Sequence, residues 1–436
     1  MALIKGFDVT STAPVLPPSG LAIFGIPIEF LIFAAILISV ALFYHHTLRV
    51  ALIGLAAVVA YKFLFTRFKS GPGLAGLMSH LSYEWVILTN LFLLLVGFAL
   101  LSRHFEKSHI PAALPRVLPH DWKGAFWLLA IVFVISSFLD NIAAALIGGA
   151  MAHTLFRAKV HVGYLAAIVA ASNAGGSGSV VGDTTTTMMW IDGVSPLDVL
   201  HGYAGAGIAL VIFGIPAALQ QQRYSPILKH EHQYVHIDWP RAAVVAFILM
   251  TAIAVNVAIN IQLPELSDAF PFIGFSVVAA LLLSTLVRRP DWEIVPETAK
   301  GSIFLLALVL CATLMPVERL PSASWQTTLG LGFVSAVFDN IPLTALALRQ
   351  GGYDWGALAY AVGFGGSMIW FGSSAGVALS NLYPESKSVV LWVRQGWHVT
   401  VAYVIGFAAL LLIAGWQPHP PHKASLPLTP TEMQQR

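Results

Sequence analysis

The stretch Ser136-Ser-Phe-Leu-Asp140-Asn141-Ile142 returns 199 residues later as Ser335-Ala-Val-Phe-Asp339-Asn340-Ile341. A second motif keeps the same order. Gly175-Gly176-Ser177, followed by Gly182-Asp183, returns 190 residues later as Gly365-Gly366-Ser367, followed by Gly372-Ser373. One short match could be chance, but two in the same order point to an internal duplication whose loops have shortened in the second copy.

The surroundings of both motifs are apolar. Charged residues make up 10% of the 436 and the mean hydropathy is +0.78, whereas a soluble domain is roughly a quarter charged. Stretches near the length of about 20 residues needed to cross a hydrocarbon core can be drawn at 21–43, 50–66, 84–102 and 201–219, and again at 240–260, 271–288, 300–316 and 396–416. The run 124–156 behaves differently, because Asp140-Asn141 interrupts it. The residues before that pair reach only ~24 Å as helix, short of a full crossing. A re-entrant hairpin is expected, with its acidic tip at membrane depth, where irregular backbone survives only inside protein or beside a water-filled cavity. Region 161–190, interrupted at 173–183, is expected to be a discontinuous helix.

Four spans, a hairpin without net crossing and a broken span give each half five crossings, and an odd number inverts the second copy. The expected fold class is therefore an all-α polytopic membrane protein of two inverted repeats of five crossings each, every repeat carrying a re-entrant hairpin and a broken helix. The expected parts are an extracytoplasmic tail (1–20), a first repeat (21–219), a cytoplasmic linker (220–239), a second repeat (240–416) and a C-terminal tail (417–436). With both termini outside, fifteen Lys and Arg residues fall inside and eight outside, the sense of the positive-inside rule. The first twenty residues lack the basic and apolar regions of a signal peptide, so the first apolar stretch is expected to remain as a span. The expected location is the cell (inner) membrane, with the lipid bilayer as the main partner.

Several classes are disfavoured. Cys311 is the sole cysteine, which rules out disulfides and thiolate metal centres within one chain. No phosphate-binding Gly-x4-Gly-Lys-Ser/Thr loop is present, and a net charge of +2 without a basic cluster gives no sign of nucleic acid. No nucleophile with its base and no metal-ligand helix suggests an enzyme. His230, His232 and His236 fall in the linker and read as a solvated loop. Trp190, Trp392, Trp397 and Trp416, near span ends, read as interfacial anchors.

What remains is intramembrane chemistry. Asp140, Asp183 and Asp339 are carboxylates where charge is costly, and such groups are functional candidates by default. The plainer reading is that Asp-Asn turns and caps a hairpin, and that Gly175-Gly176 and Gly365-Gly366 only pack. Against the packing reading, Asn173, Ser177, Asp183 and Thr184 surround the first glycine pair, and Ser367 and Ser373 the second, as oxygen-bearing neighbours. Neither 124–156 nor 326–348 contains a lysine or arginine. Carboxylate, amide and carbonyl oxygens suit a hard cation such as sodium, for which Asp140, Asp183 and Asp339 are the candidate ligands. A carboxylate out of water also holds its proton more readily, so proton and sodium would compete for one site, which is antiport. Helix amino ends leave open a small carboxylate or oxyanion as the alternative substrate. No cofactor is expected beyond sodium and protons as transported or coupling ions.

In SSFLDNI and SAVFDNIPLTALAL, in SNAGGSGSVVGDTTTTMMWIDG and in GFGGSMIWFGSSAGVA, the chain resembles the ion transporter superfamily, and within it the NhaD-type sodium/proton antiporters. Arsenite-pump-like and citrate-carrier-like relatives share similar Asp-Asn-Ile-Pro hairpins. The resemblance implies an inverted-repeat transport fold, often a homodimer, with paired hairpins and alternating access. It also implies that Asp140-Asn141, Asn173, Asp183-Thr184 and Asp339-Asn340 form the ion site.

Overall fold

The computed structural model describes residues 21–43, 46–68, 71–113, 118–179, 182–227, 236–267 and 269–419. A two-strand turn, β1 (Ala22–Ile23) and β2 (Ile26–Pro27), precedes α1 (Ile28–Leu42), α2 (Thr47–Phe65), α3 (Gly73–Lys107) and the single turn α4 (Ile110–Ala113). The first Asp-Asn motif joins α5 (Trp122–Ser136) to α6 (Asn141–Leu155). The first glycine motif joins α7 (Val162–Gly176) to α8 (Thr184–Ile191), and short α9 (Pro196–Leu200) leads into α10 (Gly202–Tyr224). The second half runs through α11 (Trp239–Val257), short α12 (Pro264–Ser267), α13 (Phe272–Ser284), α14 (Val295–Thr313), α15 (Trp325–Ser335), α16 (Asn340–Gln350), α17 (Trp355–Gly365), α18 (Ser374–Leu382), short α19 (Val389–Gln395) and α20 (Trp397–Ala414).

Among the described residues six segments are long and apolar enough to cross a membrane: α2, α3, α9–α10, α11, the segment ending in α14, and α20. The molecule is an essentially all-α, multi-pass membrane architecture. Several expected boundaries move. Helix α3 has 35 residues rather than the 19 of 84–102, because its polar early turns are satisfied by distant chain. His80 Nε2 lies 3.0 Å from Thr313 Oγ1, and Glu84 pairs with Arg349. Helices α1 and α13 have only 15 and 13 residues. Each begins directly after a proline, Pro27 and Pro271, which lacks the N–H a longer helix would need. Helix α10 continues to Tyr224, five residues into the expected linker at 220–239. The expected tail at 1–20, most of that at 417–436, and His230 and His232 lie outside the described residues.

Helices α7 and α17 are buried along their whole length, the signature of elements surrounded on every side. Helix α5 packs on α7 and α15 on α17; α6 packs on α18 and α16 on α8; α10 packs on α20. The same pins recur at the offsets of the sequence motifs. Ser136 Oγ donates to the Ser172 carbonyl at 2.5 Å, and Ser335 Oγ donates to the Val362 carbonyl at 2.6 Å. A Cβ on Gly175 would strike the backbone of Phe133, and one on Gly365 the backbone of Gly332. Both glycines therefore let paired helices approach closely. The remaining long helices pack α2 on α14 and α3 on α13.

Two ion pairs with buried carboxylates lie in this outer group. Lys62 Nζ lies 3.6 Å from Glu29, and Arg349 bonds Glu84. Glu29 is thus a scaffold contact, and two of the eight basic residues assigned to the outer side carry little topological weight. Trp190 and Trp392 are not interfacial anchors. Both are 1% exposed, and Trp392 Nε1 donates to the Ser367 carbonyl at 3.1 Å, directly behind the glycine break. Cys311 is packed in the core. At the polar ends of α3, α11 and α14, Lys107 and Arg103 hold the Asp291 carboxyl below the usual carboxylate range, and Arg288 does the same for Asp238.

Candidate functional site

Four short helices, α6, α8, α16 and α18, begin around one spot. Asp140 and Asp339 occupy the N-cap positions of α6 and α16, where each carboxylate accepts a backbone N–H, from Ile142 at 3.1 Å and from Ile341 at 3.0 Å. Capping satisfies one of the amides a helix start leaves unpaired. It also fixes the next residue, an asparagine in both cases, so that its side chain points into the protein.

Those two asparagines meet at one carboxylate. Asn141 Nδ2 donates to Asp183 Oδ1 at 3.2 Å, and Asn340 Nδ2 to Asp183 Oδ2 at 3.4 Å. Thr185 Oγ1 donates to the same Oδ2 at 2.6 Å. Asp183 stands at the N-cap position of α8 yet makes no capping bond, whereas Ser373, its counterpart, caps α18 by accepting from Gly376 at 3.2 Å. The Asp183 carboxylate thereby takes its closest hydrogen bond from a side chain, Thr185, although the residue is only 2% exposed.

Asn173, in the last turn of α7, links the two halves. Its carbonyl oxygen accepts from Asn141 at 3.0 Å, and its amide donates to Ser367 Oγ at 2.9 Å and Ser373 Oγ at 3.1 Å. Ser374 Oγ donates to Asp339 Oδ2 at 3.2 Å. Asp140, Asn141, Asn173, Asp183, Asp339, Asn340, Ser367 and Ser373 are therefore gathered in one neighbourhood. Ser177 is not joined to the network; its hydroxyl turns back onto the Ala174 carbonyl at 2.8 Å. Gly175 and Gly176 are helical rather than unwound, and with Gly365 and Gly366 they serve close packing. Helix α7 ends at Gly176 and α8 starts at Thr184. Thr185 and Ser374 were not singled out in the sequence, since within Thr184–Thr187 and Ser373-Ser374 only helix register decides which hydroxyl faces a carboxylate.

A cavity of about 550 Å³ opens beside this network. Asp140, Asn141, Asp183, Thr184, Asn340 and Ser374 line its inner end, and Arg103, Glu106 and Glu297 stand at its polar mouth. Asp339 is not part of that lining. Among the described residues no three of His, Cys, Asp and Glu gather into a metal centre, so the three aspartates do not form a three-carboxylate cage. The carboxylates that face this cavity are Asp140 and Asp183, among amides and hydroxyls.

The chain is 26% identical over 341 residues, 67% of its length, to sodium/proton antiporter 1 of Arabidopsis thaliana. It is 26% identical to the Na(+)/H(+) antiporter NhaD of Vibrio parahaemolyticus over 59% of its length, and 25% identical to that of Halomonas elongata over 67%. The chain is NhaD-like. It spans 56% of the Arabidopsis relative and 73% and 68% of the two bacterial ones. No family model matches it. In this NhaD-like chain the apolar helices and the bacterial relatives together describe an integral, multi-pass membrane protein.

Proposed function

We propose that the protein is a sodium(lithium)/proton antiporter working by alternating access, with Asp183 as the central ion ligand. The observation that carries this reading is the convergence of Asn141 and Asn340, from the two Asp-Asn motifs, on the two oxygens of Asp183. In the reading, α5–α6 and α15–α16 are re-entrant hairpins entering from opposite faces, and residues 21–219 and 240–416 are inverted repeats. The recurrence of Ser136–Ser172 as Ser335–Val362 supports it, as do the reciprocal packings α6 on α18 and α16 on α8. Both termini are extracytoplasmic, and the protein sits in the inner membrane.

Charge bookkeeping favours a monovalent cation. Three carboxylates face four helix amino ends, and at roughly +0.5 per end those dipoles offset about two of the three negative charges. About one unit remains, enough for one sodium ion or one proton but not both. Competition of this kind is what couples their opposite fluxes. The relatives, which carry sodium/proton antiporter names, point the same way and away from an oxyanion carrier.

The test is a pH-sensitive dye in everted vesicles energised to an acid interior. Sodium addition is expected to release protons, and absence of any response from mildly acidic to alkaline pH would contradict the reading. Asp140→Asn and Asp339→Asn should insert normally, since asparagine caps a helix as well as aspartate, yet show no release.

A further inference from the structure

Gly363 lies on α17 at the position that the 190-residue offset pairs with Asn173 on α7. Asn173 fills its place with an amide that reaches Asn141, Ser367 and Ser373. Gly363 leaves its place empty. A Cβ built there would stand 3.2 Å from Asp183 Oδ2, 3.8 Å from the Asn173 carbonyl oxygen and 3.8 Å from Ser177 Cβ. The room forgone by Gly363 is therefore bordered by the Asp183 oxygen that also receives Asn340 and Thr185, with a second oxygen nearby.

The usual reasons for a glycine fail at this position. Gly363 is helical and is not among the residues with positive φ. No backbone crosses close to it either. The nearest backbone atom to its Cβ would be 3.8 Å away, whereas at Gly365, two residues on, backbone blocks the Cβ outright. A helix-interior glycine costs about 1 kcal/mol relative to alanine, so its presence needs another cause, and the one thing its missing side chain spares is the Asp183 carboxylate.

We propose that Gly363 is a specificity-determining residue: its missing side chain gives the Asp183 carboxylate the room to close on a sodium-sized cation. The inference rests on the sodium/proton reading above. A methyl group at 3.2 Å from Oδ2 forces the carboxylate to shift by a few tenths of an ångström. Asn141, Asn340 and Thr185 hold that carboxylate, so the shift narrows the seat instead of being absorbed. Lithium, with shorter metal–oxygen bonds, tolerates the narrower seat better than sodium.

The experiment compares Gly363→Ala with wild type and with Gly207→Ala, a control on α10 whose Cβ would meet nothing within 4 Å. Half-saturating sodium and lithium concentrations are read from dye dequenching in everted vesicles. The sodium-to-lithium ratio is expected to rise at least fivefold in Gly363→Ala and to stay at the wild-type value in Gly207→Ala. An unchanged ratio, or equal weakening of both ions, overturns the inference. Should Gly363→Ala be too slow to assay, displacement of radioactive sodium by lithium on the purified protein reads the same ratio, and an unchanged value there overturns the inference equally. A wild-type protein that responds to neither ion instead removes the antiport reading itself, and this inference with it.

Discussion

Asp183 differs from Asp140 and Asp339 in what the backbone asks of it. The latter two each spend an oxygen capping a helix, so the plain reading of an Asp-Asn turn and the functional one both hold for them. Asp183 spends none on a cap, and three side chains from three elements aim at it. Replacing it with asparagine keeps its shape and removes its charge. Loss of one partner from a buried charged contact costs about 3 kcal/mol, roughly a hundredfold in affinity. Thr185→Ala removes a single hydrogen bond to that charge, about 1.5 kcal/mol or roughly tenfold. Asp183→Asn is thus expected to raise half-saturating sodium far more than Thr185→Ala, measured by radioactive sodium binding to monodisperse protein; equal or negligible effects would show the cation seated elsewhere. The motif residues of this network were legible in the sequence because they sit in repeated, unusual contexts. Thr185 and Gly363 were not, since one is a member of a threonine run and the other is defined by the atom it lacks.

At the scale of elements, the duplicated motifs located α5–α6, α15–α16 and both breaks to within a few residues. Their positions follow from local chemistry: the Asp-Asn caps start α6 and α16, and the motif glycines stand at the ends of α7 and α17. The start of α3 was not legible for the opposite reason. His80 and Glu84 look like the end of a span until Thr313 and Arg349, more than 230 residues away in sequence, are brought against them. The Arg349–Glu84 pair, together with the Arg349 guanidinium over the Tyr83 ring, ties the C-terminal end of α16 to α3. Removing one partner of a buried ion pair strands the other, at a cost of about 3–5 kcal/mol, while replacing both is often near neutral. Arg349→Met is accordingly expected to lower the thermal stability of the detergent-solubilised protein markedly, and Glu84→Gln combined with Arg349→Met to restore most of it. A double variant no more stable than the single one would mean that Arg349 matters for packing or charge balance other than through Glu84.

Among the described residues a cavity approaches the site from one side. The cavity runs from Asp183 to Arg103, Glu106 and Glu297, whereas behind the network stand the fully buried α7 and α17 and the indole of Trp392. The tryptophans Trp190 and Trp392 misled the sequence reading for this reason: hydropathy sees a large ring near a helix end and cannot see that another helix covers it. A site reached from one side suits one state of an alternating carrier, because a path open to both faces would dissipate the gradient it uses. The proposed orientation, with both termini outside, puts the cavity mouth on the cytoplasmic side, and Thr298, at that mouth, can report it. With Cys311 replaced by serine, a Thr298→Cys protein is expected to react with a membrane-impermeant maleimide in everted vesicles and to be protected in intact cells. Saturating sodium should slow the reaction by shifting the population between inward- and outward-facing states, which it can do only if it binds the two unequally. Labelling from the opposite face would invert the assigned orientation, and equal labelling from both would describe a channel instead of a carrier.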